Sequence, residues 1–185
     1  MIPAQREVPG APEPATAWAL AARDGDRGAQ AAFVRATQAE VWRFTASLVD
    51  AGSADDLTQE TYLRAFRALP GFEGRSSART WLLGIARRTC ADHLRTVIRR
   101  RRLDHRIAAE ATGDPVPDPA GQIAAADLLR RLPTDRREAF VLTQVLGLSY
   151  AEAAEVERVP VGTIRSRVAR ARAELVACVG EALAG

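Results

Sequence analysis

Three acidic residues that lie close together, Asp55, Asp56 and Glu60, are the side chains best placed for chemistry, because grouped carboxylates can hold a magnesium ion. Their spacing puts them in the first two turns of a predicted helix, where negative charge also stabilises the helix dipole. The histidines, His93 and His105, have no companion at a metal-like or triad-like spacing. The sequence therefore predicts no catalytic residue, no metal site and no cofactor. An enzyme acting on nucleic acid is the weaker alternative.

The two cysteines, Cys90 and Cys178, are far apart and belong to no CxxC or Cys/His motif, so we expect no disulfide framework. The N-terminal residues lack the charged start and apolar run of a signal peptide, and no segment is apolar for long enough to insert in a membrane. These features favour a cytoplasmic protein. All 26 basic residues are arginine, which suits bidentate contacts with phosphates and bases.

The sequence of residues 149–175, SYAEAAEVERVPVGTIRSRVARARAEL, predicts a helix, a tight turn and a second helix. Ser149 and Glu152 have the spacing of a capping box, which satisfies free backbone N–H groups where a helix begins. The first helix should end near Glu157, and Pro160 suits the first turn of the second. This arrangement is typical of the helix-turn-helix motif, whose second helix enters the major groove of DNA.

The second helix of this motif has two distinct faces. Apolar residues at i, i+4, i+7 and i+11 form a stripe that should face a core, namely Ile164, Val168, Ala171 and Leu175. At about 100° per residue, the opposite side carries the small residues Ser166, Ala169 and Ala173. Arg165 and Arg170 flank this small-residue line, where they can reach guanine edges and phosphates. The alternative is a basic amphipathic helix with a solvated arginine face, which the capped preceding helix and short turn make less favoured.

A helix is predicted over residues 54–69, with Ser53 and Asp56 as a second capping box. Tyr62, Phe66 and Leu69 share one face, which we expect to be buried. Leu57 lies near the acidic residues and well away from the aromatic ones, so the sequence predicts an exposed leucine among acids, a candidate contact for a partner. An acidic helix start that merely suits the dipole is an equally good explanation from these residues alone.

The loop at residues 72–77 contains one aromatic residue, Phe72, and precedes a strongly basic helix that runs from about Ala78 past Arg95. An aromatic loop can stack on an extruded base while arginines hold the backbone, which is typical of sites for single-stranded nucleic acid. A solvated basic helix end is the alternative.

The chain as a whole is predicted to be all-α, with two small helical domains joined by a flexible linker. We expect a disordered tail at residues 1–15, an N-terminal helical bundle at 16–106, an acidic, proline-rich linker at 107–122 and a helix-turn-helix domain at 123–185.

Three blocks of this sequence resemble the extracytoplasmic-function (ECF) sigma factors of bacteria. They are DDLTQETYLRAFRALPGF at residues 55–72, SSARTWLLGIARRTCADHLR at 76–95, and residues 132–175 with the helix-turn-helix. Their order, across a variable linker, makes the similarity specific, and it is greatest to actinobacterial members without an additional C-terminal domain.

The resemblance implies a role for each block. The first is similar to the helix that docks on the clamp coiled coil of the RNA polymerase largest subunit, which implies polymerase contacts at Asp55, Asp56, Leu57, Gln59 and Glu60. The second is similar to the reader and melter of the minus-ten promoter element, with Phe72 near the flipped base. The residues implied there are Phe72, Arg75, Ser76, Arg79, Arg87, Arg88 and Asp92. Many relatives carry asparagine where this chain has Arg88, which leaves the identity of the minus-ten base open.

The third block is similar to the reader of the minus-thirty-five element. The residues implied there are Thr163, Arg165, Ser166, Arg167, Ala169 and Arg170. The implied partners are core RNA polymerase, through its clamp coiled coil and flap, and promoter DNA, both duplex and single-stranded. An anti-sigma factor is a further candidate, because many relatives have one. A stand-alone helix-turn-helix regulator is the alternative, although it leaves the first two blocks unexplained.

Overall fold

The computed structural model describes residues 13–107 and 125–184, and the regular elements within these ranges are all helical. The N-terminal group contains α1 (Pro14–Arg23), α2 (Arg27–Leu48), α3 (Ala51–Ala68) and α4 (Ala78–Ile107), with a 3-10 turn at Leu69–Gly71. The C-terminal group contains α5 (Ala125–Arg131), α6 (Thr134–Phe140), α7 (Tyr150–Glu157) and α8 (Val161–Ala184). A π-helical segment at Val141–Val145 extends α6. The predicted all-α class is confirmed.

Aspartate side chains fix where α2 and α3 begin. Asp26 accepts the backbone N–H groups of Gly28 and Ala29, at 2.7 and 3.0 Å. The predicted capping box of Ser53 with Asp56 is wrong. The helix starts earlier, at Ala51, because Asp50 is the N-cap and accepts the backbone N–H of Ser53 at 3.0 Å.

The helix-turn-helix forms as its sequence predicted. Gly147 adopts a left-handed conformation with φ of 73° after the π-helical segment, and Ser149 and Glu152 make both hydrogen bonds of the capping box. Helix α7 ends at Glu157, and α8 begins after Pro160. Arg158, in the turn, is also left-handed, with φ of 56° and ψ of 47°.

The two groups of helices pack against each other. Helix α4 lies against α7, and α2 contacts α5 and α6. Buried apolar side chains of both groups join in one cluster, which includes Phe33, Phe44 and Leu82 from the N-terminal helices and Leu142 and Ile164 from the C-terminal ones. The helix-turn-helix is therefore held directly on the N-terminal helices.

Two predicted boundaries fall partly outside the described residues. Residues 1–12 of the predicted tail are not described, but Pro14 begins α1 and Ala15 is buried, so the tail ends before the predicted residue 15. Most of the predicted linker at 107–122 is likewise outside the described ranges. Its first residue, Ile107, ends α4.

Candidate protein-docking and nucleic-acid interfaces

Helix α3 presents one exposed face with acidic and apolar side chains. Asp55, Asp56 and Gln59 are exposed, as predicted for this helix, whereas Glu60 is half-buried and forms an ion pair of 2.7 Å with Arg64. The prediction that Leu57 is exposed is wrong: its side chain is buried in the core cluster with Ala54 and Ala65, and Thr61 on the same side is also buried. The exposed leucine is Leu63, which is 54% accessible.

Trp42, in α2, borders this face of α3. Its side chain is 43% accessible, and its indole Nε1–H donates a hydrogen bond of 2.7 Å to Oδ1 of Asp55. This bond orients the Asp55 carboxylate and leaves the indole ring in contact with solvent. Sequence reasoning missed Trp42 as a surface residue, since its position in α2 fits an apolar pattern.

The loop before α4 holds its aromatic residue inside the protein. Phe72 is buried, with its ring centroid 4.8 Å from that of Trp81, and its carbonyl accepts a hydrogen bond of 3.0 Å from Arg23. Phe72 therefore does not form the exposed stacking surface that the sequence predicted. The loop residues nearer solvent are Arg75, which pairs with Glu73 at 3.0 Å, and the half-buried Ser76.

Some of the basic residues of α4 form ion pairs within the protein and others do not. Arg79 pairs with Glu40 at 2.8 Å and also donates to the carbonyl of Leu146 in the C-terminal group. Arg87 pairs with Glu138 of α6 at 2.7 Å. Arg88, by contrast, is exposed and takes part in no ion pair among the described residues.

Asp92 is anchored from two sides. It accepts a hydrogen bond of 2.7 Å from Arg64 and a second from Arg95, and these bonds hold the pKa of its carboxyl below the usual range. Arg64, Arg87, Arg88, Asp92 and Arg95 line a pocket of about 340 Å³ on this side of α4. The predicted minus-ten residues Arg87, Arg88 and Asp92 thus meet around one concavity.

The exposed face of α8 agrees with the predicted helical wheel. Ile164, Val168 and Ala171 are buried, while the opposite side carries exposed residues: Arg165, Ser166, Ala169, Arg170 and Ala173. Thr163 is half-buried, and its carbonyl accepts the Ser166 hydroxyl at 2.9 Å. The small residues leave room for close approach to a groove, and both predicted arginines reach solvent.

Arg167 differs from the other predicted residues of α8 because it turns inward. It forms ion pairs with Glu157 and, at 3.2 Å, with Asp135. Glu157 is buried, and its Oε1 atom has no hydrogen-bond partner in the described structure. Burial, and then the nearby charge of Glu138, raise the pKa of Glu157 to about 7. Arg167 therefore neutralises a buried acid in this arrangement.

No three His, Cys, Asp or Glu side chains within residues 13–107 and 125–184 are grouped as metal ligands would be. Within the same ranges, no helix combines the length and apolarity that crossing a bilayer requires.

Comparisons with known proteins agree with this arrangement of helices. The family model for sigma-70 region 2 matches residues 30–106, and the model for sigma-70 region 4 matches residues 122–175. The ECF RNA polymerase sigma factor SigC of Mycobacterium tuberculosis is 54% identical over 168 residues, which cover 89% of this chain and 91% of that protein. The ECF RNA polymerase sigma-E factor of Escherichia coli is 33% identical over 162 residues, with coverages of 80% and 85%.

Two solved structures share the fold. CnrH, solved in complex with the cytosolic domain of CnrY, has a TM-score of 0.70 and 25% identity, and the match covers 91% of this chain and 99% of CnrH. The sigma factor RpoE of Bartonella quintana, solved with the anti-sigma factor NepR, has a TM-score of 0.60 and 28% identity, with coverages of 77% and 91%.

An all-helical protein with a helix-turn-helix at one end and a region 2 bundle at the other is a transcription initiation factor rather than an enzyme. This chain belongs to the ECF group of the sigma-70 family, the alternative RNA polymerase sigma factors that direct transcription initiation. The region 2 match accounts for the N-terminal helices, which a stand-alone regulator would leave unexplained.

Proposed function

We propose that the exposed face of α3 is the surface on which this chain docks on the clamp coiled coil of core RNA polymerase. The observation that carries this proposal is the combination of exposed Asp55, Asp56 and Gln59 with two exposed apolar anchors, Leu63 and Trp42. Carboxylates around a tryptophan and a leucine suit a basic partner helix, since interface hot spots are apolar or aromatic side chains ringed by polar groups.

Promoter recognition is divided between the two groups of helices in this proposal. Arg165, Ser166, Ala169 and Arg170 of α8 read the duplex of the minus-thirty-five element, because they are exposed on the side opposite the core. The pocket beside α4, with Arg88 and Asp92, receives the opened strand of the minus-ten element. Phe72 supports the loop of that site from inside, through its contact with Trp81.

Packing of the C-terminal helices against the N-terminal ones restricts access of DNA to the proposed minus-ten site. Arg79 and Arg87, two residues proposed for that site, are held by Leu146 and Glu138 of the C-terminal group. The strand and the C-terminal helices compete for the same arginines. The chain must therefore open between α4 and α6 to engage DNA through both residues.

Further partners follow from the same family resemblance. We propose that the C-terminal group contacts the polymerase flap. We also propose that an anti-sigma factor regulates this chain, since the sigma factor RpoE was solved in complex with the anti-sigma factor NepR. The protein would act in the cytoplasm, where polymerase and promoters are found.

Co-purification with core polymerase tests the docking surface. Asp56→Arg reverses a charge at the centre of the α3 face and should abolish assembly with core polymerase. Asp127→Arg reverses the charge of an exposed acid in α5 and should assemble normally. Normal assembly of Asp56→Arg would remove the docking assignment.

A further inference from the structure

A continuous chain of charged side chains connects α3 with the pocket beside α4. Glu60 accepts a hydrogen bond of 2.7 Å from Nε of Arg64, and Nη1 of Arg64 donates another of 2.7 Å to Oδ2 of Asp92. Arg95 donates to the other oxygen of Asp92, Oδ1. Each oxygen of the Asp92 carboxylate therefore has its own donor, one from α3 and one from α4, and these bonds fix its orientation.

Arg64 is the firmer of the two donors to Asp92. Its side chain is 37% accessible, whereas that of Arg95 is 75% accessible. Glu60 lies one turn before Arg64 in α3, which is the favourable order for an acid and a base at i and i+4. Because a guanidinium is planar, the bond between Glu60 and Nε sets the direction in which Nη1 points. Glu60 thus acts on Asp92 through Arg64.

Asp92 is the one acidic side chain among the described residues that line this pocket. Four arginines line it as well, namely Arg64, Arg87, Arg88 and Arg95. A carboxylate repels the phosphates that these arginines attract, so phosphate binding gives no reason for its presence. The bonds from Arg64 and Arg95 hold the pKa of Asp92 below its usual range, so its carboxylate is charged at neutral pH. A charged carboxylate only accepts hydrogen bonds, and each oxygen has a further lone pair to offer.

The bases carry the hydrogen-bond donors of a DNA strand. Cytosine, adenine and guanine each have an exocyclic amino group, whereas thymine has carbonyl oxygens and a methyl group. Proteins that take an unpaired base into a pocket read it through hydrogen bonds to its exposed edge. A carboxylate accepts a hydrogen bond from an amino group and repels a carbonyl oxygen. The charged, half-exposed Asp92 is therefore suited to select an amino-bearing base over thymine.

We propose that Glu60 and Arg64 are positioning residues for Asp92, which accepts a hydrogen bond from the amino group of an unpaired base of the minus-ten strand. This inference rests on the proposed promoter function and adds to it the chemical class of the base. It also moves Glu60 from the docking surface to the minus-ten site. The family resemblance implied a polymerase contact for Glu60, but its carboxylate is bound to Arg64 instead.

Selection of bound strands from oligonucleotides randomised over the minus-ten element tests the proposal, with this chain assembled on core polymerase. At one position the wild type should disfavour thymine about tenfold relative to an amino-bearing base, which is the size of one specific base contact. Asp92→Ala should lose this discrimination. The preferred base is then replaced by its analogue without the amino group: uracil for cytosine, or hypoxanthine for adenine or guanine. This replacement should weaken strand binding by the wild type about tenfold and leave Asp92→Ala unaffected.

Two variants separate positioning from charge. Arg64→Lys keeps the positive charge, so overall strand affinity should stay within about twofold of the wild type. One ammonium cannot reproduce the planar fork that joins Glu60 to Asp92, so discrimination against thymine should fall to about threefold or less. Glu60→Ala makes the site more positive, so strand affinity should equal or exceed that of the wild type while discrimination falls in the same way. A merely structural role would lower both quantities together.

The ion pairs of Glu60 and Arg64 are partly exposed, so both variants should keep the wild-type Tm, and Glu60→Ala should co-purify normally with core polymerase. Asp24→Asn is the matched control, because it removes an exposed acid that is paired with Arg23 at 2.8 Å, and it should keep the wild-type discrimination.

The possible failures can be told apart. Wild-type discrimination in Glu60→Ala or Arg64→Lys would overturn the positioning roles, and loss of assembly in Glu60→Ala would return Glu60 to the docking surface. A wild-type holoenzyme that binds the strand but accepts thymine equally at every position would overturn the role of Asp92. A holoenzyme that binds no minus-ten strand would overturn this inference together with the proposed promoter function.

Discussion

Arg87 of α4 and Glu138 of α6 form an ion pair of 2.7 Å that joins the N-terminal helices to the C-terminal ones. The Glu138 side chain is only 5% accessible, so its charge is largely removed from water. Burial raises the pKa of its carboxyl, and the neighbouring Arg87 opposes that rise. Because Arg87 is also proposed to contact the minus-ten strand, one side chain connects packing of the helices with access to DNA.

Removing the charge of Glu138 should favour the open arrangement. Glu138→Gln weakens the bond with Arg87, so we expect a larger radius of gyration by X-ray scattering and an affinity for minus-ten single strand raised up to about tenfold, the value of one charge-assisted hydrogen bond. Asp127→Asn, which removes an exposed acid of α5, should change neither quantity. An unchanged radius in Glu138→Gln would show that this pair does not hold the two groups together.

The buried acid Glu157 should make stability depend on pH. Burial raises its pKa from 4.5 to about 7 in the folded protein. Between these values the folded state binds a proton that the unfolded chain releases, so the contribution of Glu157 to stability is fully present below pH 4.5 and is lost as the pH rises to about 7.

Glu157→Gln should remove this loss. The difference in free energy of unfolding, variant minus wild type, should increase by about 3 kcal/mol from acid to neutral pH. Urea denaturation at several pH values measures this difference. The exposed Glu155 of the same helix supplies the control, because Glu155→Gln should follow the wild-type curve. A pH-independent difference between Glu157→Gln and the wild type would disprove the raised pKa.

The two leucines of α3 should respond to truncation in opposite ways. Leu57→Ala opens a cavity in the core and should lower the free energy of unfolding by about 2–5 kcal/mol. Leu63→Ala should leave the Tm unchanged and weaken binding to core polymerase about tenfold or more, because it truncates an exposed anchor of the docking face. Polymerase affinity that is unchanged in Leu63→Ala would exclude Leu63 from the interface.

The arginines of α8 allow a similar comparison. Arg170→Ala should cost about 1–3 kcal/mol of promoter binding and relax the preference for upstream bases, without loss of stability. Arg167→Ala removes the cation beside the buried Glu157, so the pKa of that carboxyl should rise further and the protein should lose stability mainly above neutral pH. Binding selections on a randomised upstream element, together with thermal melts, check both expectations. An unaltered base preference in Arg170→Ala would contradict its assignment.

Features fixed by neighbouring residues could be predicted from the sequence. The capping box of Ser149 with Glu152, the left-handed Gly147 and the exposed face of α8 all depend on spacing within a few residues, and the structure has each of them. The resemblance to sigma factors, confirmed by the family matches, also came from contiguous blocks of sequence.

Features that depend on packing could not be predicted in this way. The face of α3 with Tyr62, Phe66 and Leu69 is turned to the core as predicted, but the buried surface is wider than these residues indicated. It continues through Ala54, Thr61 and Ala65 to Leu57, while Leu63 is exposed. Phe72 is buried because its ring packs against Trp81 of α4 and its carbonyl accepts a hydrogen bond from Arg23 of α1. The pairing of Arg167 with Glu157 likewise needs the relative placement of two helices.

Run-off transcription with purified core polymerase on a promoter library is the most direct test of the central claim. The wild-type chain should make core polymerase start RNA at defined sites that share minus-ten and minus-thirty-five sequences. Asp56→Arg should lose this activity, and Asp127→Arg should keep it. Failure of the wild-type chain to direct initiation at any defined site, or full activity of Asp56→Arg, would contradict the account.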